Sequence, residues 1–171
     1  WTSPITSPGS RTTPPTREDL DTTVELIEKA GGRALVEQAT SGTTTGCGIS
    51  STAGSARSAG STGSWPTRGI CIPNAWHDIT PQEFAYTMDV NVTGVWNTVM
   101  AGARHLVDGG GGSVVLTSSY AGLKVQPFMV HYTASKHAVT GLARAFAAEL
   151  GRHGIRVNSI HPGAVDTRWF R

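Results

Sequence analysis

Apolar positions recur at helical spacing in three stretches of this chain. In Arg17–Ala30, Leu20, Val24 and Ile27 share one face, Thr16 is placed to cap the first turn, and Gly31 and Gly32 supply the stop. Thr80-Pro81-Gln82-Glu83 reads as a capping box with proline at the first helical position. The helix it opens is expected to run to Leu106, with Phe84, Met88, Val92, Val95 and Val99 as its apolar face. A second long helix is expected over His131–His153, ended by Gly154. Short apolar runs separate these helices: Arg33–Glu37 reads as a short strand, and Ser113–Thr117 and Ile155–Ile160 as strands of the buried type. Long helices alternating with short apolar strands predict βαβ crossovers, hence an α/β fold on a parallel sheet.

The pattern breaks in two places. Residues 1–16 are dense in Pro, Ser and Thr and read as a surface loop. From Ala39 to Thr67 the composition turns to Ser, Thr, Gly and Ala, with Arg57 as the sole charge and almost no large apolar residue before Trp65. Such a stretch buries too little surface to offset its ordering entropy and is expected to be disordered or badly packed. The predicted organisation is a loop (1–16), a helix-strand piece (17–38), a low-complexity segment (39–69) and an ordered α/β half (70–171).

Bulk properties narrow the function classes. The chain has 171 residues, enough for one domain with a core, a net charge of +2 and 15% charged residues. No basic stripe or block of like charge marks a nucleic-acid partner. No apolar run approaches the roughly 20 residues of a membrane helix, and no signal-like start is present, so the cytoplasm is the expected location. Cys47 and Cys71 are too few for a disulfide framework. His131, His137, His153 and His161 lack acidic or thiol companions at ligand spacing and read as ordinary helix-surface or strand-end histidines rather than a metal site. The chain begins at Trp1 and stops at Arg171 just after a motif, so it reads as a piece of a longer protein.

The chemistry-bearing residues cluster in the second half. Tyr132-Thr-Ala-Ser-Lys136 sets a phenol and an ammonium at i and i+4 on one helix face, where an adjacent cation favours the phenolate. Ser119 follows the apolar strand Val114-Val115-Leu116, at the carboxyl end where open parallel sheets bind ligands. Asn91 and Gly94 are poor choices inside a helix unless they serve something. His161-Pro162-Gly163 ends the last strand in a backbone-exposing turn.

This set, with Ser119 thirteen residues before Tyr132 and Pro162-Gly163 thirty beyond it, resembles the short-chain dehydrogenase/reductase family from Ile70 to Thr167 and, more weakly, over Arg17–Glu37. The resemblance implies a partial Rossmann-like, doubly wound parallel sheet lacking its N-terminal βα unit. It also implies an NAD(P)-dependent oxidoreductase interconverting a secondary alcohol and a ketone. Tyr132 would be the acid/base that exchanges a proton with the substrate oxygen while hydride passes between the nicotinamide and the carbinol carbon. Lys136 would lower the Tyr132 pKa and hold the nicotinamide ribose, and Ser119 would hydrogen-bond the substrate oxygen. Asn91 would hold a water linking Lys136 to solvent. After Pro162 and Gly163, the Val165 backbone and the Thr167 hydroxyl would receive the carboxamide. The runs Asn91–Thr98, Gly122–Pro127, His131–His137 and His161–Thr167 are similar to the mycofactocin-coupled, carveol-dehydrogenase-like subgroup. That implies NAD rather than NADP and a terpenoid-like secondary alcohol. Helices in these positions pair subunits in the family, which implies a homo-oligomer.

The chain departs from the family in two respects. The glycine-rich turn that seats a pyrophosphate on a helix N-terminus is not found: the glycines of residues 42–63 follow no strand and open no apolar helix. Thr67-Arg68-Gly69 stands where the family has Asn-Ala-Gly. As a hypothesis, residues 39–68 are a frame-shifted translation. With GC-rich codons a shifted frame restores an Asp-Val strand end, an amphipathic helix, an apolar strand and Asn-Ala-Gly, and codons that do not permit that frame end the idea. The competing readings are an inactive remnant unable to hold dinucleotide and a self-association module using the two long helices.

Overall fold

The structure, a computed structural model, describes residues 17–32, 34, 63–64, 66 and 69–165. Among these, helix α1 (Arg17–Lys29) and residues 164–165 belong to one compact unit and residues 63–163 to another.

In the first unit, α1 carries exposed i,i+4 ion pairs, Arg17 with Asp21 and Glu25 with Lys29. It ends as its glycines predict. Gly31 is left-handed (φ 79°), its N–H donates to Glu28 O, and Gly32 N–H reaches back to Ile27 O. That double closure satisfies the last carbonyls of the helix. Of the expected strand at 33–37 only Ala34 is described, and it is in no strand; the Thr16 cap lies outside the described residues.

The second unit is built on three parallel strands in the order β1 (Gly63–Ser64), β2 (Gly112–Thr117) and β3 (Ile155–Ile160). The strand expected at Ser113 gains one residue, and β3 has the expected bounds. β1 corrects one expectation: two residues of the Ser/Gly-rich stretch pair in register with β2, Gly63 beside Ser113 and Ser64 beside Val114. The helix predicted from Thr80 is instead α2 (Pro81–Met88), a π-helical turn (Asp89–Thr93) and α3 (Gly94–Asp108). Its start is the capping box: Thr80 Oγ1 accepts from Glu83 N–H at 3.1 Å, and the Glu83 carboxylate accepts from Thr80 N–H at 2.9 Å. The last long helix, α4, spans Val130–Leu150 and passes into a 3₁₀ turn, Gly151–His153, closed by left-handed Gly154.

Val95, Val99 and Leu106 of α3 and Val139, Ala143 and Phe146 of α4 pack with Val114, Leu116, Ile155 and Val157 of the sheet into one core. The strands were expected to be buried on both faces. β3 instead alternates: Ile155 and Val157 point inward, while Arg156 and Asn158 are exposed. The apolar face expected on the first long helix is also rotated. Phe84 is exposed, and the inward row is Thr87, Asn91, Val95 and Val99. The π-turn causes this, because its extra residue per turn shifts every side chain upstream of it around the axis. Tyr86, which is not part of the expected row, is also exposed.

Candidate active site

Helix α4 presents Tyr132 and Lys136 one turn apart. Lys136 is 3% exposed. Its Nζ lies 5.6 Å from the centroid of the Tyr132 ring and donates to the carbonyl of Thr117, the last residue of β2, at 3.1 Å. The helix is held to that strand end by a buried knot. Ser118 Oγ donates to Lys136 O at 2.9 Å and pairs with Thr140 Oγ1 at 3.1 Å. Gly122 closes the knot, since a Cβ there would collide with Ser118 Oγ and stand 2.8 Å from Lys136 O.

Ser119 leaves β2 in extended conformation (φ −167°), and its Oγ accepts from Ala121 N–H at 3.2 Å. Its side chain also lies close to Tyr132, where it favours the phenolate. The backbone around it is fixed to the end of β3: Ser118 N–H donates to Ile160 O, and Tyr120 N–H to Pro162 O, both at 2.9 Å. His161 bridges the same junction, its Nδ1 3.1 Å from Ser119 O and its Nε2 3.0 Å from Ser159 Oγ. Ser119, Tyr132 and Lys136 therefore meet at the carboxyl end of β2.

Asn91 is fully buried in the π-turn, and its amide is occupied by protein. Oδ1 accepts from Ile70 N–H at 2.8 Å, and Nδ2 donates to Ile70 O at 2.9 Å and to Ser135 Oγ at 3.0 Å. The side chain is thus a clasp between the segment entering the site and α4. Gly69 stands in the same place, where a Cβ would lie 3.1 Å from Lys136 Nζ and 3.3 Å from Asn91 Oδ1.

Burial sets the electrostatics. It lowers the Lys136 pKa to about 8, with the nearby Cys71 opposing, and raises that of Cys71 to about 11, with Lys136 opposing. Tyr132 is raised above its ordinary value, first by burial and then by Cys71, with the Ser119 hydrogen bond opposing. Desolvation of the phenolate thus outweighs the help that the Lys136 ammonium, over the ring face, can give it.

Pro162 and Gly163 form the turn after β3, half-buried and exposed respectively, with nothing within 4 Å of a Cβ at Gly163. Val165 belongs to the unit of α1, and Thr167 lies outside the described residues. Sequence reasoning gave no role to Cys71, Ser118, Gly122 and Ser135, whose signal is proximity alone. It also placed His131 among ordinary surface histidines. His131 is instead fully buried, with neither ring nitrogen hydrogen-bonded.

The family model described as short chain dehydrogenase matches residues 67–171. This chain belongs to the short chain dehydrogenase family. Among solved relatives, a short chain dehydrogenase from Mycobacterium paratuberculosis bound to NAD is 50% identical (TM-score 0.91), covering 94% of this chain and 60% of that one. Carveol dehydrogenase from Mycobacterium avium in complex with NAD is 36% identical (TM-score 0.90), covering 98% of this chain and 60% of its own. An uncharacterized NAD-dependent oxidoreductase of Mycobacterium tuberculosis is 39% identical over 170 residues, covering 93% of this chain and 58% of the relative. The chain thus spans about 60% of the length of these dehydrogenases. It has the α/β parallel-sheet architecture of the family, and no helix among the described residues is long and apolar enough to cross a membrane. No cluster of metal-ligating side chains occurs among them either.

The site suits the nicotinamide end of a dinucleotide. An ammonium has three N–H donors, and the buried Lys136 gives one to Thr117, leaving two for a ligand. No glycine-rich strand-to-helix turn stands among the described residues, so this fit concerns the nicotinamide end alone.

Proposed function

We propose that this chain carries the catalytic half of an NAD-dependent dehydrogenase that interconverts a secondary alcohol and its ketone, with Tyr132 as the acid/base. The observation that carries the reading is the meeting of Ser119, Tyr132 and Lys136 at the carboxyl end of β2. The working unit is residues 70–171 together with β1 and Gly69.

In the ketone direction the Tyr132 hydroxyl gives its proton to the substrate oxygen as negative charge develops there, and the Ser119 hydroxyl donates a hydrogen bond to the same oxygen. In the alcohol direction the Tyr132 oxygen takes the proton. Tyr132, raised by burial, holds its proton in the resting site, and the Lys136 charge over its ring stabilises the phenolate left after transfer. The free N–H groups of Lys136 hold the nicotinamide ribose. Asn91 sets the turn that keeps Lys136 in place, and Pro162 and Gly163 hold the carboxamide. When bound, NAD supplies the two-electron redox chemistry. Two solved relatives are NAD complexes, one of them a carveol dehydrogenase, which supports NAD over NADP and an alcohol substrate. Trp96 and Met100, exposed one turn apart on α3, support self-association through the long helices.

The test is titration of the chain with NADH, followed by nicotinamide fluorescence, and then ketone reduction. Fluorescence enhancement and turnover are expected. Tyr132→Phe should keep the enhancement and lower turnover by about 10²–10⁴-fold. A folded chain that leaves NADH fluorescence unchanged is the inactive remnant instead. Sedimentation velocity reads the self-association.

A further inference from the structure

The inward row of β3 changes character along its length. Ile155 and Val157 are buried in the core, and the row continues at the same two-residue spacing with Ser159 and His161, both half-buried. These two polar side chains find partners in each other and in the site: His161 Nε2 is 3.0 Å from Ser159 Oγ, and Nδ1 is 3.1 Å from Ser119 O. The acceptor fixes the direction of both bonds. A carbonyl only accepts, so Nδ1 carries a proton; Nε2 of the neutral ring is then bare and takes the hydroxyl hydrogen of Ser159.

The relay ends on a peptide that is pinned on both sides. The Ser119 carbonyl also accepts from Gly122 N–H at 2.8 Å, and the N–H of the same peptide, on Tyr120, donates to Pro162 O at 2.9 Å. Pro162 has no N–H of its own, so the His161 ring is the donor that this end of β3 gives back. Holding that peptide holds the extended backbone (φ −167°, ψ 164°) from which the Ser119 hydroxyl projects.

Resting on the reading of Ser119 as donor to the substrate oxygen, we propose that His161, locked by Ser159 with its proton on Nδ1, is a positioning residue that aims the Ser119 hydroxyl. The ring moves no proton during turnover. Protonation leaves its hold intact, because imidazolium donates from both nitrogens and the Ser159 hydroxyl can turn to accept. The same ring precedes Pro162 and Gly163, so it ties the turn assigned to the carboxamide to the group assigned to the substrate oxygen.

The experiment measures cyclohexanone reduction by NADH, with urea midpoints alongside, in the wild type, in His161→Ala, His161→Asn and His161→Gln, and in Ser119→Ala with and without His161→Ala. His161→Ala should lower kcat by about 10-fold and keep KM for NADH within about 2-fold, a part of the roughly 10²–10³-fold that a lost transition-state donor costs. His161→Asn, whose amide nitrogen takes the place of Nδ1, should recover kcat to within about 3-fold, whereas His161→Gln, which reaches toward Nε2, should not. Added to Ser119→Ala, the loss of His161 should cost under about 2-fold more, since a residue acting through Ser119 has nothing left to aim. Additive losses, equal kcat in the Asn and Gln variants, or a limb of the pH–rate profile that vanishes with the ring each overturn the proposal. If His161→Ala does not fold, the Asn and Gln pair decides. If the wild type reduces no cyclohexanone, the oxidoreductase reading has failed separately, and nitrogen-15 NMR of the His161 ring decides the relay. A proton on Nδ1 that spreads to both nitrogens in Ser159→Ala supports it, and a proton on Nε2 in the wild type overturns it.

Discussion

The side-chain amide of Asn91 holds both backbone polar groups of Ile70, accepting from its N–H at 2.8 Å and donating to its carbonyl at 2.9 Å. One buried side chain thereby stands in for a neighbouring strand, and a third bond, to Ser135, passes the constraint to α4. Asn91→Ala should lower stability by about 2–4 kcal/mol, since three groups lose a buried partner. Asn91→Asp, which cannot donate to the Ile70 carbonyl, should not recover it. Urea midpoints of the three proteins check this, and a loss under about 0.5 kcal/mol would remove the clasp from the account.

Gly122 is fixed by its neighbours rather than by its backbone angle. Gly122→Ala should destabilise by about 1–3 kcal/mol through overpacking. Removing the Ser118 hydroxyl by Ser118→Ala should not rescue it, because the Lys136 carbonyl still stands 2.8 Å from the new methyl. The double variant measured by thermal unfolding decides between side-chain and backbone conflict.

Lys136 sets a pH dependence of stability. Its pKa falls from an ordinary 10.5 to about 8 on folding. Between those values the unfolded chain binds more protons, so this residue makes the fold more stable as pH rises from about 8 and less stable as pH falls back through it. Tyr132, raised above 10, acts oppositely and only above its ordinary value. Lys136→Met should therefore flatten the rise in urea midpoint between about pH 8 and 10. An unchanged slope would show that the amine reaches solvent.

His131 gives the acid limb. Burial lowers its pKa from 6.5, with Glu83 opposing, and no partner is present to accept its charge. The unfolded state takes up the proton first, so stability is full above pH 6.5 and declines as pH falls toward the lowered value. His131→Phe should retain its urea midpoint further into acid than the wild type. A parallel decline in both proteins would assign the limb to other groups.

Local chemistry made much of this molecule legible. Thr80, Pro81 and Glu83 specify a helix start within four residues, and Gly31 and Gly154 specify stops by a backbone angle other residues resist. Tyr132 and Lys136 share a face because helical periodicity puts i and i+4 together. The rotated inward row of Thr87 and Asn91 was not legible, because a π-turn has no strong local signature and is settled by what the helix packs against. β1 shows the same limit more sharply. Gly63 and Ser64 have poor strand propensity, yet they pair with β2, where the edge of the sheet supplies hydrogen-bond partners.

The sequence by itself determined the helices, two of the three strands, the parallel α/β class and the candidate reacting groups, all of which follow from short-range spacing. Tertiary structure alone decided what those groups feel. Desolvation, which depends on every neighbour at once, raises Tyr132 and lowers Lys136. The close approaches at Gly69 and Gly122, the Asn91 clasp and the buried His131 arise where distant segments meet, and no local pattern encodes such meetings.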